Sequence, residues 1–105
     1  MTNYKEHCTK YLSNRLRGSS DWRRAQGTKF PNDARNDKAS QRLLELESSI
    51  EIPDAVWIEI APYYNEGDSR WLAAVSDTNR DIGFRRHPRD FAGYLENLVS
   101  NLTRH

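Results

Sequence analysis

The chain has 105 residues, with 16 Lys and Arg, 15 Asp and Glu, and a formal net charge of +1. This length fits one domain, residues 1–105, and with 36% hydrophobic residues the core must use large aromatic side chains. No apolar run approaches the roughly 20 residues that cross a bilayer, which excludes a membrane-spanning role. The single cysteine, Cys8, cannot form an internal disulfide, so we expect a cytoplasmic protein.

The charges are unevenly distributed along the chain. Residues 1–42 hold ten Lys or Arg against four Asp or Glu, residues 43–77 hold one against eight, and residues 78–105 hold five against three. Two interpretations follow. Either the blocks neutralise one another in the folded protein, or the basic ends bind an anion or a charged protein.

The first 49 residues contain two predicted helices and a loop. Apolar side chains recur at helical spacing near the start and predict a helix over residues 3–17, which ends at Gly18: Tyr4, Cys8, Tyr11, Leu12 and Leu16. Residues 18–31 have no period and predict a long loop, anchored by Trp22 and Phe30. A second helix is predicted over 32–49, with a later start near Lys38 as the alternative because its first half is polar.

The next 36 residues favour strands. Alternation over 56–61 predicts a strand, although Pro53 and Asp54 also suit the opening of a short helix. Turn-forming residues at 65–68 and 77–80 separate two further alternating segments, 70–76 and 82–85. Together the three segments predict an antiparallel β-meander.

The C-terminal region predicts an amphipathic helix. Pro88 and Asp90 are good start signals, and a continuous apolar stripe follows: Phe91, Tyr94, Leu95, Leu98, Val99 and Leu102. The predicted fold is therefore α+β with the order ααβββα. From the second helix onward, over about residues 38–104, the order resembles that of double-stranded-RNA-binding domains, in topology only. That resemblance implies a basic helix N-terminus placed on phosphates.

One face of the predicted sheet offers a candidate protein-binding surface. Its aromatic and acidic residues would suit a basic partner or a second copy of the chain: Trp57, Glu59, Tyr63 and Trp71. The alternative is that the first helix covers this face and leaves nothing exposed.

Basic residues offer two candidate anion or nucleic-acid sites. Arg85, Arg86 and Arg89 lie at the predicted strand-to-helix junction, where a helix N-terminus favours phosphate. Trp22, Arg23 and Arg24 combine an aromatic ring with positive charge in the predicted loop. The alternatives are that the first cluster pairs with the acidic middle segment and that Trp22 pins its loop to the core.

No motif predicts catalysis or metal binding. The three histidines, His7, His87 and His105, lack the spacing of a zinc site, and Cys8 falls on an apolar stripe. We expect a non-enzymatic binding protein without a cofactor, of an accessory, inhibitor or immunity type, that recognises a protein or itself through the sheet surface. The alternative is a nucleic-acid-binding module that uses the two basic sites.

Overall fold

The computed structural model describes residues 4–104, and this part of the chain is helical. Five α-helices follow one another: α1 (Tyr4–Lys29), α2 (Arg35–Ser48), α3 (Asp54–Ile60), α4 (Ser69–Asp81) and α5 (Phe91–Leu102). A 3-10 turn, Ala61–Tyr63, extends α3. Within residues 4–104 there is no strand, and the only β-type pairing is an isolated bridge between Ile82 and Arg86. The α+β prediction, with its three-stranded meander, is therefore wrong. The topological resemblance to double-stranded-RNA-binding domains depended on those strands and is wrong as well.

Helix α1 continues 12 residues beyond the predicted end at residue 17 and replaces most of the predicted loop. Its buried stripe keeps the helical period but changes composition: Cys8, Leu12, Leu16, Ser20, Arg23 and Gly27. Residues 18–31 were predicted as a loop because no apolar residues continue the helical period there. In the structure, small and polar residues continue the buried stripe instead. The predicted first residue of this helix, Asn3, lies outside the described residues.

Helices α1 and α2 pack side by side in opposite directions. Three side-chain hydrogen bonds show the antiparallel order, because the partner's number falls along α2 as the residue number rises along α1: Ser13 with Glu47, Ser20 with Ser40 and Arg23 with Asn36. This is the most extensive helix pair of the fold. The second predicted helix is confirmed, with a start between the two positions that the sequence allowed.

Helix α3 is the short helix that Pro53 and Asp54 suited, and the strand predicted over 56–61 is wrong. The carbonyl of Pro53 accepts bonds from the backbone N–H groups of Val56 and Trp57, which forms the first turn. Ile60 is buried whereas Ile58 is 72% exposed, so the alternating apolar residues do not share one buried face.

Helix α4 replaces the second predicted strand and the turn at 77–80. The carboxylate of Asp68 accepts a 2.7 Å bond from the backbone N–H of Arg70 and caps the helix. The buried residues are spaced three, one, three and one apart, as one helical face requires: Trp71, Ala74, Val75, Thr78 and Asn79. The prediction followed the alternation of Trp71, Ala73 and Val75, but Ala73 is exposed.

The third predicted strand, 82–85, lies in the loop between α4 and α5. Gly83 has a φ of 83°, and a Cβ there would approach Ala39 Cβ to 2.8 Å, so both conformation and close packing against α2 favour glycine. Helix α5 is confirmed, although it begins after the predicted start at Pro88. Asp90 caps it by accepting a 3.0 Å bond from the Gly93 N–H.

The core lies where the buried faces of all five helices meet. Trp71 and Tyr94 are its largest fully buried side chains, and leucines of α1, α2 and α5, together with Ile52, Ile60 and Ile82, fill the space around them. Burial raises the pKa of the Cys8 thiol to about 12, with a further rise from the charge of Glu66. None of the helices in residues 4–104 combines the length and apolarity needed to span a membrane.

Candidate functional site: an arginine-lined groove

The aromatic residues predicted to form a protein-binding surface lie in or against the core. Trp71 is fully buried, Trp57 and Tyr63 are half-buried, and only Glu59 of the four is exposed. Trp71 and Trp57 both contact the ring of Tyr64, edge to face, with centroids 5.2 and 6.1 Å away. These rings chiefly pack the fold, and the sheet that would have displayed them is absent from residues 4–104.

A groove runs between α1 and α4 and continues past the C-terminal end of α4. It has two chambers. The first, which we call the α1–α4 chamber, has a volume of about 500 Å³ and is lined by Asn14, Arg15, Gly18, Ser19, Trp22, Arg23, Ser76, Asn79 and Arg80. The second, the outer chamber, has about 490 Å³ and is lined by Trp22, Arg23, Asp77, Arg80, Asp81, Phe84, Arg85 and Arg104. They share three residues and form one arginine groove.

Trp22 is the exposed aromatic side chain of this groove. It is 55% exposed although it belongs to a regular part of α1, so it does not pin a loop to the core. The Arg23 guanidinium lies 5.3 Å from the Trp22 ring centroid and 4.0 Å from that of Phe84. A large flat surface thus stands beside positive charge, within reach of a ligand in either chamber.

Arg23 joins three elements at the middle of the groove. Its guanidinium donates to the backbone carbonyl of Arg80 in the last turn of α4 and, at 3.4 Å, to Asn36 Oδ1 of α2. A cation suits this position because helix C-termini carry unpaired carbonyls and partial negative charge. Burial, together with the charge of Arg80, lowers the Arg23 pKa. No carboxylate among residues 4–104 pairs with Arg23, so its charge contributes to the groove.

Arg15, like Arg23, lines the groove and has no carboxylate partner in the described chain. Its Nη2 donates to Ser76 Oγ at 2.8 Å, which joins α1 to α4. Its Nε is buried and has no hydrogen-bond acceptor. A buried donor of this kind is costly to leave unpaired, and an anion would provide an acceptor.

The floor of the groove is held by a buried hydrogen-bond network around Asn79. The hydroxyl of Tyr94 on α5 donates to Asn79 Oδ1 at 2.7 Å. Asn79 Nδ2 donates to Ser19 Oγ at 3.0 Å and to the carbonyl of Arg15 at 3.3 Å. Three helices are thereby fixed relative to one another directly below the lining residues.

The basic residues predicted from the sequence are only partly brought together. Trp22, Arg23 and Arg85 line the groove, while Arg24 is exposed on α1 and approaches Asp21 at 3.8 Å. Arg86 and Arg89 are exposed in the loop before α5.

The predicted strand-to-helix junction is a loop between two helices. Asp90 already bonds the first turn of α5, which weakens the case for a phosphate there. The predicted pairing of Arg85, Arg86 and Arg89 with the acidic segment has no ion pair to support it among residues 4–104. Asp77 instead lies 3.7 Å from Arg80 of its own helix.

The groove residues that sequence reasoning missed include three arginines and the asparagine of the floor: Arg15, Arg80, Arg104 and Asn79. The signal for the α1 side was present. Arg15, Ser19, Trp22 and Arg23 follow one another at helical spacing and therefore share one face of α1, once the helix is extended beyond Gly18.

The described residues contain no cluster of three or more His, Cys, Asp or Glu side chains that could hold a metal ion. His7 and His87 are both exposed, and His105 lies outside the described residues. Comparisons with protein-family models, curated proteins and solved structures gave no match, so the geometry of the groove carries the functional interpretation.

Proposed function

We propose that this protein binds single-stranded nucleic acid in the arginine groove. The observation that carries the proposal is the exposed ring of Trp22 between two chambers lined by arginines. Phosphates need cations, and unpaired bases stack on flat aromatic surfaces, so the two features together match the chemistry of a single strand.

The charge of the groove supports this ligand class. Five arginines line it, Arg15, Arg23, Arg80, Arg85 and Arg104, against two aspartates, Asp77 and Asp81. The excess of positive charge lies on a chain whose net charge is only +1. The groove is thus a local concentration of positive charge, which attracts a polyanion more specifically than a generally basic protein would.

The exposed tryptophan favours a single strand over a duplex. The bases of a duplex are stacked on one another, so a side chain can reach a base face only after unstacking. A single strand presents its bases freely, and stacking on an aromatic ring contributes about 1–3 kcal/mol per base. We propose the cytoplasm as the compartment, because the lone Cys8 suits reducing conditions.

The groove is a better candidate than the aromatic surface that the sequence favoured. The predicted protein contact depended on Trp57, Tyr63 and Trp71 standing free on a sheet, and these side chains are half-buried or buried in a helical core. Trp22, in contrast, is accessible.

The test is fluorescence anisotropy with a labelled oligothymidylate and a duplex of the same length, at several salt concentrations. We expect the single strand to bind more tightly and the affinity to fall as salt rises. Trp22→Ala should weaken binding about ten-fold, which corresponds to about 1.4 kcal/mol of lost stacking. Phe30→Ala is the matched control, because Phe30 is an aromatic residue of similar exposure, 58%, that does not line the groove.

A second pair of variants tests the charges. Arg80→Gln should reduce the slope of log affinity against log salt by about 0.7, the loss expected for one phosphate contact with a single strand. Arg70→Gln removes the same charge from the other end of α4 and should leave the slope unchanged. Absence of binding at low salt, or equal effects of Trp22→Ala and Phe30→Ala, would contradict the proposed function.

A further inference from the structure

We propose that the α1–α4 chamber is a subsite for a phosphomonoester dianion, the terminal phosphate of the strand bound in the groove. This inference rests on the proposed function and specifies which part of the ligand each chamber receives. The observation behind it is the difference in charge between the two chambers.

The α1–α4 chamber contains cations and neutral donors but no acid. Arg15, Arg23 and Arg80 line it, whereas the outer chamber also contains Asp77 and Asp81. A phosphodiester within a strand carries one negative charge, and a terminal phosphate carries between about 1.5 and 2 at pH 7. The chamber without acids therefore favours the terminal group over an internal one, while the outer chamber suits the singly charged backbone.

Arg15 supplies the directional contact in this chamber. Its Nη2 bonds only a neutral hydroxyl, that of Ser76, and its Nε has no acceptor. A phosphate in the chamber offers two oxygens in the geometry that a guanidinium binds through Nε and Nη2 together. Turning the half-buried guanidinium from Ser76 toward the ligand satisfies the unpaired donor and leaves the Ser76 hydroxyl free to bond the same phosphate.

Gly18 leaves the space that such a group needs. It lies in the interior of α1 and lines the chamber, and a Cβ added there would meet no atom within 4 Å apart from the adjacent backbone of its own helix. Glycine destabilises a helix interior relative to alanine, and no contact or backbone conformation requires it here. A large side chain at residue 18 would project into the chamber without disturbing the packing of α1.

The experiment compares two oligothymidylates that differ only at the 5′ end, one phosphorylated and one with a free hydroxyl, each labelled at the 3′ end. A second pair carries the phosphate or the hydroxyl at the 3′ end. We expect the wild-type protein to prefer one phosphorylated end about ten-fold over its hydroxyl counterpart. Gly18→Leu and Arg15→Gln should each bring that ratio close to one, because they fill the chamber or remove its directional contact.

Arg17→Gln is the matched control for Arg15→Gln. Arg17 belongs to the same helix but pairs with Glu47 on the α2 side, so its loss should leave the ratio as it is in the wild type. Circular dichroism and thermal unfolding of each variant verify that the fold is retained. If the ratio of the wild type is close to one, or if it persists in both Gly18→Leu and Arg15→Gln, the subsite is disproved.

Calorimetric titration with thymidine monophosphate, thymidine and inorganic phosphate separates this inference from the proposed function. Oligonucleotide binding with no preference for a phosphorylated end refutes the subsite and retains the function. Binding of thymidine monophosphate, abolished by Gly18→Leu, with no binding of any of the oligonucleotides retains a phosphomonoester site and refutes the function. Absence of binding by every probe refutes both.

Discussion

The two halves of α1 bury the same stripe with opposite chemistry. In the N-terminal half the stripe consists of Cys8, Leu12 and Leu16, all fully buried, whereas in the C-terminal half it consists of Ser20, Arg23 and Gly27. The first half is held by removal of apolar surface from water, which is strong and non-directional. The second half is held by hydrogen bonds with specific partners, which contribute less but fix geometry.

The groove lies mainly beside the polar half. Beside the apolar half, side chains fill the space between helices. Beside the polar half, Ser20 bonds the backbone carbonyl of Ser40 at 2.9 Å, and Arg23 bonds the ends of α2 and α4. Four of the six α1 residues that line the arginine groove belong to this half, Arg23 among them. Three sets of variants test the contrast, from the largest expected effect to the smallest.

The largest effect should come from Leu12→Ala in the apolar half. Removing a fully buried leucine side chain leaves a cavity and should lower the free energy of unfolding by about 3 kcal/mol. Urea-induced unfolding followed by circular dichroism measures the change. Leu44→Ala is the control, because Leu44 is exposed and its truncation should cost less than about 0.5 kcal/mol. Similar losses for the two variants would show that α1 is not packed as described.

An intermediate effect should come from Arg23→Met in the polar half. Methionine retains much of the apolar stem but leaves the Arg80 carbonyl and Asn36 without their donor, which should cost about 2 kcal/mol. Arg24→Met removes the same charge from the exposed neighbouring position and should change stability by less than about 0.5 kcal/mol. If Arg23→Met were neutral or stabilising, the hydrogen bonds would not be what holds this half.

The smallest effect should come from the serine pair. Each hydroxyl of the buried pair Ser20 and Ser40 donates to the backbone carbonyl of the other residue, at 2.9 and 3.0 Å, and the two hydroxyl oxygens lie 2.8 Å apart. Ser20→Ala or Ser40→Ala alone should cost about 1 kcal/mol, and the double variant should cost less than the sum, because either single change already removes the contact between the two hydroxyls. A double-mutant cycle by urea unfolding measures this coupling, and strict additivity would argue against the pairing.

Two helices were predicted from a face that is apolar throughout, whereas α2 was predicted although its buried face includes Asn36 and Ser40. The stripe of α5 from Phe91 to Leu102 fits only a helix, and the same holds for α1 up to Leu16. The errors occurred where two periods overlap or where the stripe is polar. Trp71 and Val75 fit both an alternating strand and a helical face, and the sequence contains no means of choosing between Ala73 and Ala74 as the buried alanine.

The residues of the candidate site were likewise predicted only in part. Trp22 and Arg23 were identified as a possible nucleic-acid site from their chemistry, but they were assigned to a loop. Arg15 was missed because the predicted helix ended before Trp22, and Asn79 and Arg80 could not be added because only the packing of α4 beside α1 brings them close. Arg104 reaches the outer chamber from the end of a third helix, a proximity that no local pattern encodes.

By itself, the sequence determined the apolar faces of α5 and of the first part of α1, and the aromatic and basic residues available for binding. The tertiary structure decided that the middle of the chain is helical and that five distant arginines share one groove. The physical reason is that a hydrophobic period is a local property, recorded in a few adjacent turns. Which face of α4 is buried, and which arginines lie beside α4, depend on the helices that pack against α4.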